Sequence, residues 1–464
     1  MSFNLAAHVL GPGRARPDHP ALIVPGTLRL THAALLRAVE ARAGGFRARA
    51  LPQGARILLR LGNTPDFPIT YLAACAAGLV PVPTSAQLTA SEITEMAARV
   101  TPALTVAEQG IAVPEDLRQV SPADLDAAPL SFEAWHRGDE NRLGYIVFTS
   151  GSGGVPKAVA HAHRAVRARA MMHDGWYGLT RDDRVLHAGA FNWTYTLGTG
   201  LLDPWSVGAT AIIPAEDTRA EALPDLIARE EATIFAAAPG VFRRMLRTEW
   251  PATPRLRHGL SAGERLPPAL RRDWQVATGT DVHEALGMSE CSTFISGAPD
   301  RPAPEGSTGY PQPGRRIRID GDRLLVATDD PGLMLGYWQD GAPVTPAGDW
   351  FDTGDRVHAL PDGAIIHEGR RDDLLNPGGY RVSPQEVEAA LADLPVADVA
   401  VGTVQVAGGA IVLAAYYVGP PLDEAAANAH AAARLARYKQ PRLWLRRDAL
   451  PRNANGKLIR RALA

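Results

Sequence analysis

The sequence predicts an α/β protein with a large N-terminal domain of mostly parallel sheets and a small α+β domain at its C-terminus. Short apolar segments alternate with amphipathic ones from residue 57 to residue 236. This alternation of strands and helices is typical of a mostly parallel sheet. After Gly369 the composition changes to a charged segment, RRDD, followed by a shorter stretch that can form a separate small fold.

The N-terminal elements follow in a regular order. Residues 30–45 have the apolar spacing of an amphipathic helix, which we expect to end at Gly44 and Gly45. The segments after it are 57–61 (strand), 71–78 (helix), 80–83 (strand), 145–149 (strand), 165–172 (helix), 209–213 (strand), 223–230 (helix) and 233–236 (strand). A stretch rich in proline and glycine, 297–314, is predicted to cross the surface before a β-rich region.

The C-terminal domain begins with a helix whose start is well marked. Ser383 suits the N-cap, Pro384 the first helical position, and Glu386 completes a capping box. We place the domain boundary after Gly369, which gives domains of residues 1–369 and 370–464.

Composition excludes several classes of protein. The net charge of the 464 residues is -2, which argues against a nucleic-acid partner. No segment approaches the roughly 20 apolar residues of a membrane span, and the N-terminus lacks the basic region of a signal peptide. Cys75 and Cys291 are the only cysteines, so a disulfide framework is not expected. These features predict a cytoplasmic enzyme without a membrane partner.

Lysine is rare in this chain. Among the 48 basic residues only three are lysines, Lys157, Lys439 and Lys457. Lysine is a compact charge on a flexible stem, unlike the planar guanidinium, so these three are candidates for functions that arginine cannot perform. For Lys439 we find no chemical role and predict a structural salt bridge.

The most informative motif is a glycine-rich loop after a predicted strand, TSGSGGVPK at residues 149–157. Glycines let backbone N–H groups surround a polyphosphate, hydroxyls add donors, and Lys157 adds charge. The Walker A loop needs a hydroxyl residue after its lysine, but Ala158 stands there. The remaining alternative is a glycine-rich surface turn.

The loop resembles the phosphate loop of the adenylate-forming superfamily, which includes acyl- and aryl-CoA synthetases. Gly153 and Ala158 depart from the usual Thr or Ser and Gly of that loop. Further motifs are similar in the same order: SAGE (261–264), GMSE (287–290), WFDTGD (350–355), GRRDD (369–373), GGYR (378–381), LARYKQP (435–441) and LPRNANGK (450–457). The resemblance therefore covers nearly the whole chain.

The resemblance implies ATP, Mg²⁺ and CoA as cofactors and assigns roles to individual residues. Lys457, Glu290 and Thr149 are the implied catalytic residues, and Glu290 is also the implied Mg²⁺ ligand. Asp355 is expected to bind both ribose hydroxyls, which an ionised carboxylate can do. The implied nucleotide-binding residues are Thr149, Ser150, Gly151, Ser152, Lys157, Gly263, Glu264, Arg265, Glu284, Ala285, Leu286, Gly287, Ser289, Asp355 and Arg370.

The resemblance also implies a mobile C-terminal domain. It would rotate about Asp372, bringing Lys457 to the site for adenylation and withdrawing it for thioester formation. Gly379 would then line the tunnel for the pantetheine arm of CoA.

The segment FNWTYTLGTG, residues 191–200, together with SAGE, resembles the benzoate-type CoA ligases. The implied acid-binding residues are Trp193, Tyr195, Ala238, Gly287 and Gly379. Aromatic walls suit a flat ring, so an aryl or similarly compact acid is expected. Ordinary core packing is the alternative for these aromatics, as it is for Cys291 and Phe294.

Three functions remain open at this point. The first is an acid–CoA ligase that releases AMP and pyrophosphate, and the second is an adenylation enzyme that loads a carrier protein. The third is a non-catalytic nucleotide-binding relative, against which Lys457, Glu290 and Asp355 together argue. The oligomeric state is not determined by the sequence, and a homodimer is one of the alternatives.

Overall fold

The computed structural model describes residues 2–149, 156–215, 217–371, 375, 377, 382–406, 411–435, 437–453 and 456–463. Within this part of the chain the helices are α1 (Leu5–Leu10), α2 (His32–Ala48), α3 (Asp66–Ala76), α4 (Ala90–Val100), α5 (Ala165–Ala170), α6 (Thr194–Leu197), α7 (Asp203–Ser206), α8 (Leu223–Arg229), α9 (Pro239–Met245), α10 (Pro268–Thr278), α11 (Pro384–Ala390) and α12 (Glu424–Ala432). The strands are β1 (Pro20–Val24), β2 (Leu28–Thr31), β3 (Arg56–Arg60), β4 (Val80–Pro83), β5 (Leu104–Ala107), β6 (Gln119–Val120), β7 (Leu143–Thr149), β8 (Lys157–Ala162), β9 (Arg184–Ala188), β10 (Thr210–Ile212), β11 (Ile234–Ala237), β12 (His258–Ala262), β13 (Asp281–Met288), β14 (Ser292–Ser296), β15 (Tyr310–Pro311), β16 (Ile317–Asp320), β17 (Arg323–Ala327), β18 (Gly336–Gln339), β19 (Ala342–Val344), β20 (Trp350–Ala359), β21 (Ile365–Arg370), β22 (Asp398–Gln405), β23 (Ile411–Val418) and β24 (Leu443–Arg446).

The largest sheet confirms the predicted α/β class. Its strand order, among the described residues, is β15-β14-β13-β12-β11-β9-β10-β1-β2. The strands from β13 to β1 pair in parallel, whereas β2, β14 and β15 pair antiparallel at the edges. Parallel neighbours need crossover connections, and α8, α9 and α10 connect β10, β11, β12 and β13 in turn.

Four further sheets surround or follow this one. The sheet β4-β3-β5-β6 is entirely parallel, and the sheets β19-β18-β8-β7 and β16-β17-β20-β21 are antiparallel. The small C-terminal sheet, β22-β23-β24, packs with α11 and α12 around an apolar core of its own. This separate small sheet agrees with the predicted α+β fold of the C-terminal region.

Helix α2 differs from its prediction at its C-terminal end. It continues through Gly44 and Gly45 to Ala48. The two glycines serve packing instead, because a Cβ atom on Gly45 would lie 1.3 Å from the carbonyl oxygen of Leu125. Glycine there allows a close approach of two backbones, which the sequence pattern does not distinguish from a helix stop.

The N-cap of α11 and the environment of Lys439 agree with their predictions, whereas the predicted capping box is not formed, because the Glu386 carboxylate pairs with Lys439 instead of the Ser383 N–H. Ser383 Oγ accepts a hydrogen bond of 3.3 Å from the Glu386 N–H, as an N-cap residue does. The Glu386 carboxylate pairs with Lys439 Nζ at 2.5 Å. The predicted structural salt bridge of Lys439 is therefore confirmed.

Buried histidines make the fold sensitive to acid. Burial lowers the pKa of five of them to between about 3 and about 4; these are His161, His163, His187, His258 and His283. Histidine in an unfolded chain titrates near pH ~6.5, so below that pH the unfolded state binds more protons than the folded state. Their stabilising effect is complete above pH ~6.5 and is lost as the pH falls towards the lowered values. We expect the free energy of unfolding to fall by about 1.4 kcal/mol per pH unit for each histidine.

Urea denaturation at several pH values between 7.5 and 5 measures this slope. A free energy of unfolding that stays constant over this range would contradict the prediction.

Candidate active site

A cleft of about 1390 Å³ lies at the carboxyl ends of the parallel strands. Because β9, β11, β12 and β13 run in the same direction, their carboxyl ends meet at one edge of the sheet. Trp193 follows β9, Gly263 follows β12 directly, and Leu286 lies near the end of β13. All three line the cleft, as do residues of the antiparallel sheets and the C-terminal region.

The cleft brings together most of the site residues predicted from the sequence. Those that line it are Thr149, Lys157, Trp193, Tyr195, Gly263, Glu264, Arg265, Leu286, Gly287, Ser289, Glu290, Asp355, Arg370 and Lys457. Five predicted residues lie outside the described part of the chain, namely Ser150, Gly151, Ser152, Asp372 and Gly379.

Three predicted residues are described but lie behind the cleft wall. Ala238 precedes α9, and Ala285 lies within β13; both are buried. Burial raises the pKa of the Glu284 carboxyl, while Arg271, at 3.4 Å, acts in the opposite direction. The Glu284 side chain thus pairs with Arg271 and does not line the cleft.

At one end of the cleft a cation and a carboxylate share an aromatic neighbour. Thr149 ends β7 and pairs with Lys157 at the start of β8. Lys157 Nζ lies 4.8 Å from the ring centroid of Tyr337, and the Tyr337 hydroxyl donates to Glu290 Oε1 at 2.9 Å. The sequence analysis missed Tyr337, since nothing in the sequence shows that β18 lies beside β8. This end is suited to a polyphosphate with a divalent cation.

Asp355 lies on the cleft wall in a buried position. His367 Nε2 lies 3.0 Å from Asp355 Oδ1, and Arg370 is the cross-strand neighbour of Asp355. Burial acts to raise the pKa of Asp355, but the hydrogen bond from His367 and the charges of His367 and Arg370 outweigh it, so the pKa is lowered. Asp355 is therefore a carboxylate at neutral pH. The sequence analysis missed His367, although its place on the strand after WFDTGD was a usable signal.

A second end of the cleft has aromatic walls. The rings of Trp193 and Tyr195 meet edge to face, with centroids 5.2 Å apart and an interplanar angle of 84°. The Tyr195 hydroxyl donates to the Leu260 carbonyl at 3.0 Å, which fixes the ring. Gly263 has φ +94°, and a Cβ atom there would lie 2.5 Å from Cζ2 of Trp193. Both the backbone conformation and the contact with Trp193 thus require glycine.

The loop that carries Lys457 is docked against the SAGE segment. Glu264 accepts hydrogen bonds from the Leu458 N–H at 2.9 Å and from Arg452 at 3.4 Å. Arg452 also binds Asp398 at 2.8 Å, and Asp398 pairs with Arg243 of α9 at 3.2 Å. These ion pairs hold the C-terminal sheet against the N-terminal part in the arrangement where Lys457 lines the cleft. The sequence analysis did not identify this network.

Cys291 and Phe294 contribute to the core and not to the cleft wall. Both are fully buried in a cluster of apolar residues contributed by several sheets. The core-packing alternative is therefore correct for this pair.

Among the described residues, no helix has the combination of length and apolar character that crossing a membrane requires.

The chain is similar to known enzymes over most of its length. A family model described as "AMP-binding enzyme" matches residues 12–338. The chain is 32% identical to the 4-hydroxybenzoate–CoA/benzoate–CoA ligase of Rhodopseudomonas palustris, over 92% of this chain and 87% of that protein. It is 31% identical to the benzoate–CoA ligase of Thauera aromatica, over 87% of this chain and 84% of that protein. A solved benzoate CoA ligase from Burkholderia xenovorans superposes with a TM-score of 0.85 at 26% identity, covering 99% of both chains.

Proposed function

The chain belongs to the AMP-binding enzyme family, and we propose that it is an ATP-dependent ligase that joins an aryl or other compact carboxylic acid to CoA through an acyl-adenylate. One observation carries this proposal. Lys157, Glu290, Asp355 and Lys457 line a single cleft, although they come from segments far apart in the sequence. This is the set of charges that binding and activation of ATP require.

The chemistry explains why the cleft needs these charges. A carboxylate attacks the α-phosphorus of ATP, a P–O bond forms, and pyrophosphate leaves; a thiol then displaces AMP from the acyl carbon. Negative charge grows on the α-phosphate and on the departing pyrophosphate, so catalysis is mainly positioning and electrostatic stabilisation. Lys457 is the residue that bridges the carboxylate and the α-phosphate. Thr149 and Lys157 bind the outer phosphates.

Glu290 is the residue that would hold magnesium. Its carboxylate lines the cleft beside Lys157 and offers the hard oxygen ligand that Mg²⁺ prefers. The hydrogen bond from Tyr337 fixes this carboxylate through Oε1. When bound, the ion neutralises charge on the pyrophosphate group.

Asp355 binds the two ribose hydroxyls, and Arg370 lies beside it. The ionised carboxylate accepts both hydrogen bonds, while His367 occupies one of its lone pairs and sets its orientation. Leu286 and Gly287, near the end of β13, lie along the wall where the base is held. The nucleotide would thus extend from Asp355 to the phosphate end.

The aromatic end binds the acid. The edge-to-face pair of Trp193 and Tyr195 forms a wall against which a flat ring can pack. The curated relatives at 31% and 32% identity are named as ligases of benzoate and 4-hydroxybenzoate, which supports an aryl acid.

The acceptor, the domain boundary and the hinge are parts of the same proposal. CoA is the proposed acceptor, with a carrier protein as the alternative, and a homodimer remains a further possibility. The boundary after Gly369 is supported by the separate sheet and core of the C-terminal region. Rotation about Asp372 would withdraw Lys457 and bring Gly379 to the cleft for the second step.

A single assay tests the function. The pure protein is incubated with ATP, Mg²⁺, CoA and a panel of aryl, short aliphatic and long-chain acids, and the products are identified by mass spectrometry. Acyl-CoA from the aryl acids is the expected result. An AMP ester that accumulates without thioester would indicate a carrier-protein acceptor. No adenylate from any acid would contradict the proposal.

A further inference from the structure

A small polar cavity, here called the annexe, adjoins the acid-binding end of the cleft. Its polar lining residues are Tyr71, Tyr145, His161, Arg169, Thr194, Ser289 and Ser292, and its volume is about 20 Å³. Four of these residues, all except Tyr71, Tyr145 and His161, also line the cleft. Thr194, which lies between Trp193 and Tyr195 in the chain, lines both the cleft and the annexe, so the annexe lies next to the aromatic end of the cleft.

Two buried polar atoms of the annexe lack partners among the described residues. These are the Tyr71 hydroxyl and His161 Nδ1, on side chains that are 0% and 2% exposed. Leaving a buried polar group unpaired is unfavourable, so such groups normally form a hydrogen bond. The space of about 20 Å³ is sufficient for one small polar group.

The hydrogen-bonding character of the two atoms specifies that group. His161 Nε2 lies 2.7 Å from the Ser289 carbonyl oxygen, which only accepts, so Nε2 carries the proton. Nδ1 of the neutral ring is then an acceptor, and the Tyr71 hydroxyl can donate. A group that donates to His161 and accepts from Tyr71 satisfies both, and a hydroxyl does so.

The charges near the annexe argue against a substrate that carries a second carboxylate and places it there. Arg169 is buried and forms two hydrogen bonds with Asp203, at 2.9 and 2.6 Å, and its remaining nitrogen donates to Ser292 Oγ at 2.6 Å. Its charge is therefore already compensated by Asp203. A carboxylate in the annexe would have no free cation, whereas a neutral hydroxyl needs none.

We propose that the annexe is a specificity site that binds a ring hydroxyl, so that the preferred acid is a hydroxylated aryl acid. This inference rests on the proposed function, because it concerns the acid that the same cleft activates. A site built to hydrogen-bond a hydroxyl discriminates against an analogue without it, since the buried polar atoms are then left unpaired.

Steady-state kinetics with wild-type protein and Tyr71→Phe test the proposal. For wild type, kcat/KM for one of 2-, 3- or 4-hydroxybenzoate should exceed that for benzoate by at least about tenfold. Tyr71→Phe should lower the ratio of kcat/KM for that hydroxybenzoate to kcat/KM for benzoate by about tenfold. Tyr416→Phe is the matched control, since Tyr416 is also buried with an unpartnered hydroxyl but lies in the C-terminal sheet.

A second measurement does not depend on the folding of a variant. Wild-type protein should prefer the hydroxybenzoate to the fluorobenzoate with the same ring position, because fluorine cannot donate a hydrogen bond. The proposal is overturned if wild type shows no preference for any hydroxybenzoate, or if the preference persists in Tyr71→Phe. Either outcome differs from a failure of the proposed function, in which none of the acids gives an adenylate.

Discussion

Replacing Lys457 by alanine should reduce the rate of acyl-adenylate formation by about 10²–10³-fold. Lys457 is the cation that the docked C-terminal loop presents to the cleft, where the carboxylate and the α-phosphate must meet. Its charge stabilises a transition state in which two anions approach each other, and the alanine side chain provides none. Transfer of a supplied acyl-adenylate to CoA should proceed near the wild-type rate, because the proposed arrangement for that step withdraws this lysine.

The two half-reactions can be followed separately. Acid-dependent exchange of labelled pyrophosphate into ATP reports the first, and thioester formation from synthetic acyl-adenylate reports the second. Lys439→Ala is the matched control, because Lys439 lies in the same region but pairs with Glu386. Equal losses in both half-reactions for Lys457→Ala would contradict the assigned role.

Replacing Asp355 by asparagine should lower kcat/KM for ATP by about 100-fold, through a higher KM for ATP. Hydrogen bonds to a charged group are worth about 1.5–3 kcal/mol each, and in the proposed complex the ionised carboxylate accepts one from each ribose hydroxyl. Asparagine has the same shape but carries no charge and has one acceptor oxygen. It also weakens the contact with His367, which holds the carboxylate in place.

Varying the ATP concentration at saturating acid separates the effect on KM from that on kcat. Asp349→Asn provides the control, because Asp349 belongs to the same sequence motif region but is exposed and outside the cleft wall. If Asp355→Asn bound ATP as well as wild type does, the proposed contact with ribose would be wrong.

The fold class and most of the cleft were accessible from the sequence because they depend on local patterns. The phosphate loop, GMSE and WFDTGD are short segments that carry the resemblance to the adenylate-forming superfamily, and the resemblance implies their chemistry. The parallel strands were visible as short apolar segments between helices. Tertiary structure then needed only to bring the ends of these segments together, and it does so for Trp193, Gly263 and Leu286.

The features of the site that could not be predicted from the sequence depend on contacts between distant segments. Tyr337 and Glu290 are 47 residues apart, and Arg452 and Glu264 are 188 residues apart. No periodicity links such partners, so they become visible only with coordinates. Gly45 shows a second limit, since a glycine that ends a helix and one that admits a neighbouring backbone look the same in a sequence.

The contacts of Arg452 with Glu264 and Asp398 have a consequence for the fate of the activated intermediate. An acyl-adenylate is prone to hydrolysis, which would consume ATP without forming a product. In the docked arrangement Arg452, Asn453 and Lys457 contribute to the cleft wall, so these residues restrict the access of water to a bound adenylate. The same ion pairs must break before the C-terminal sheet can move. Under the proposed rotation of the C-terminal region, breaking these ion pairs adds to the energy barrier for exposing a bound adenylate.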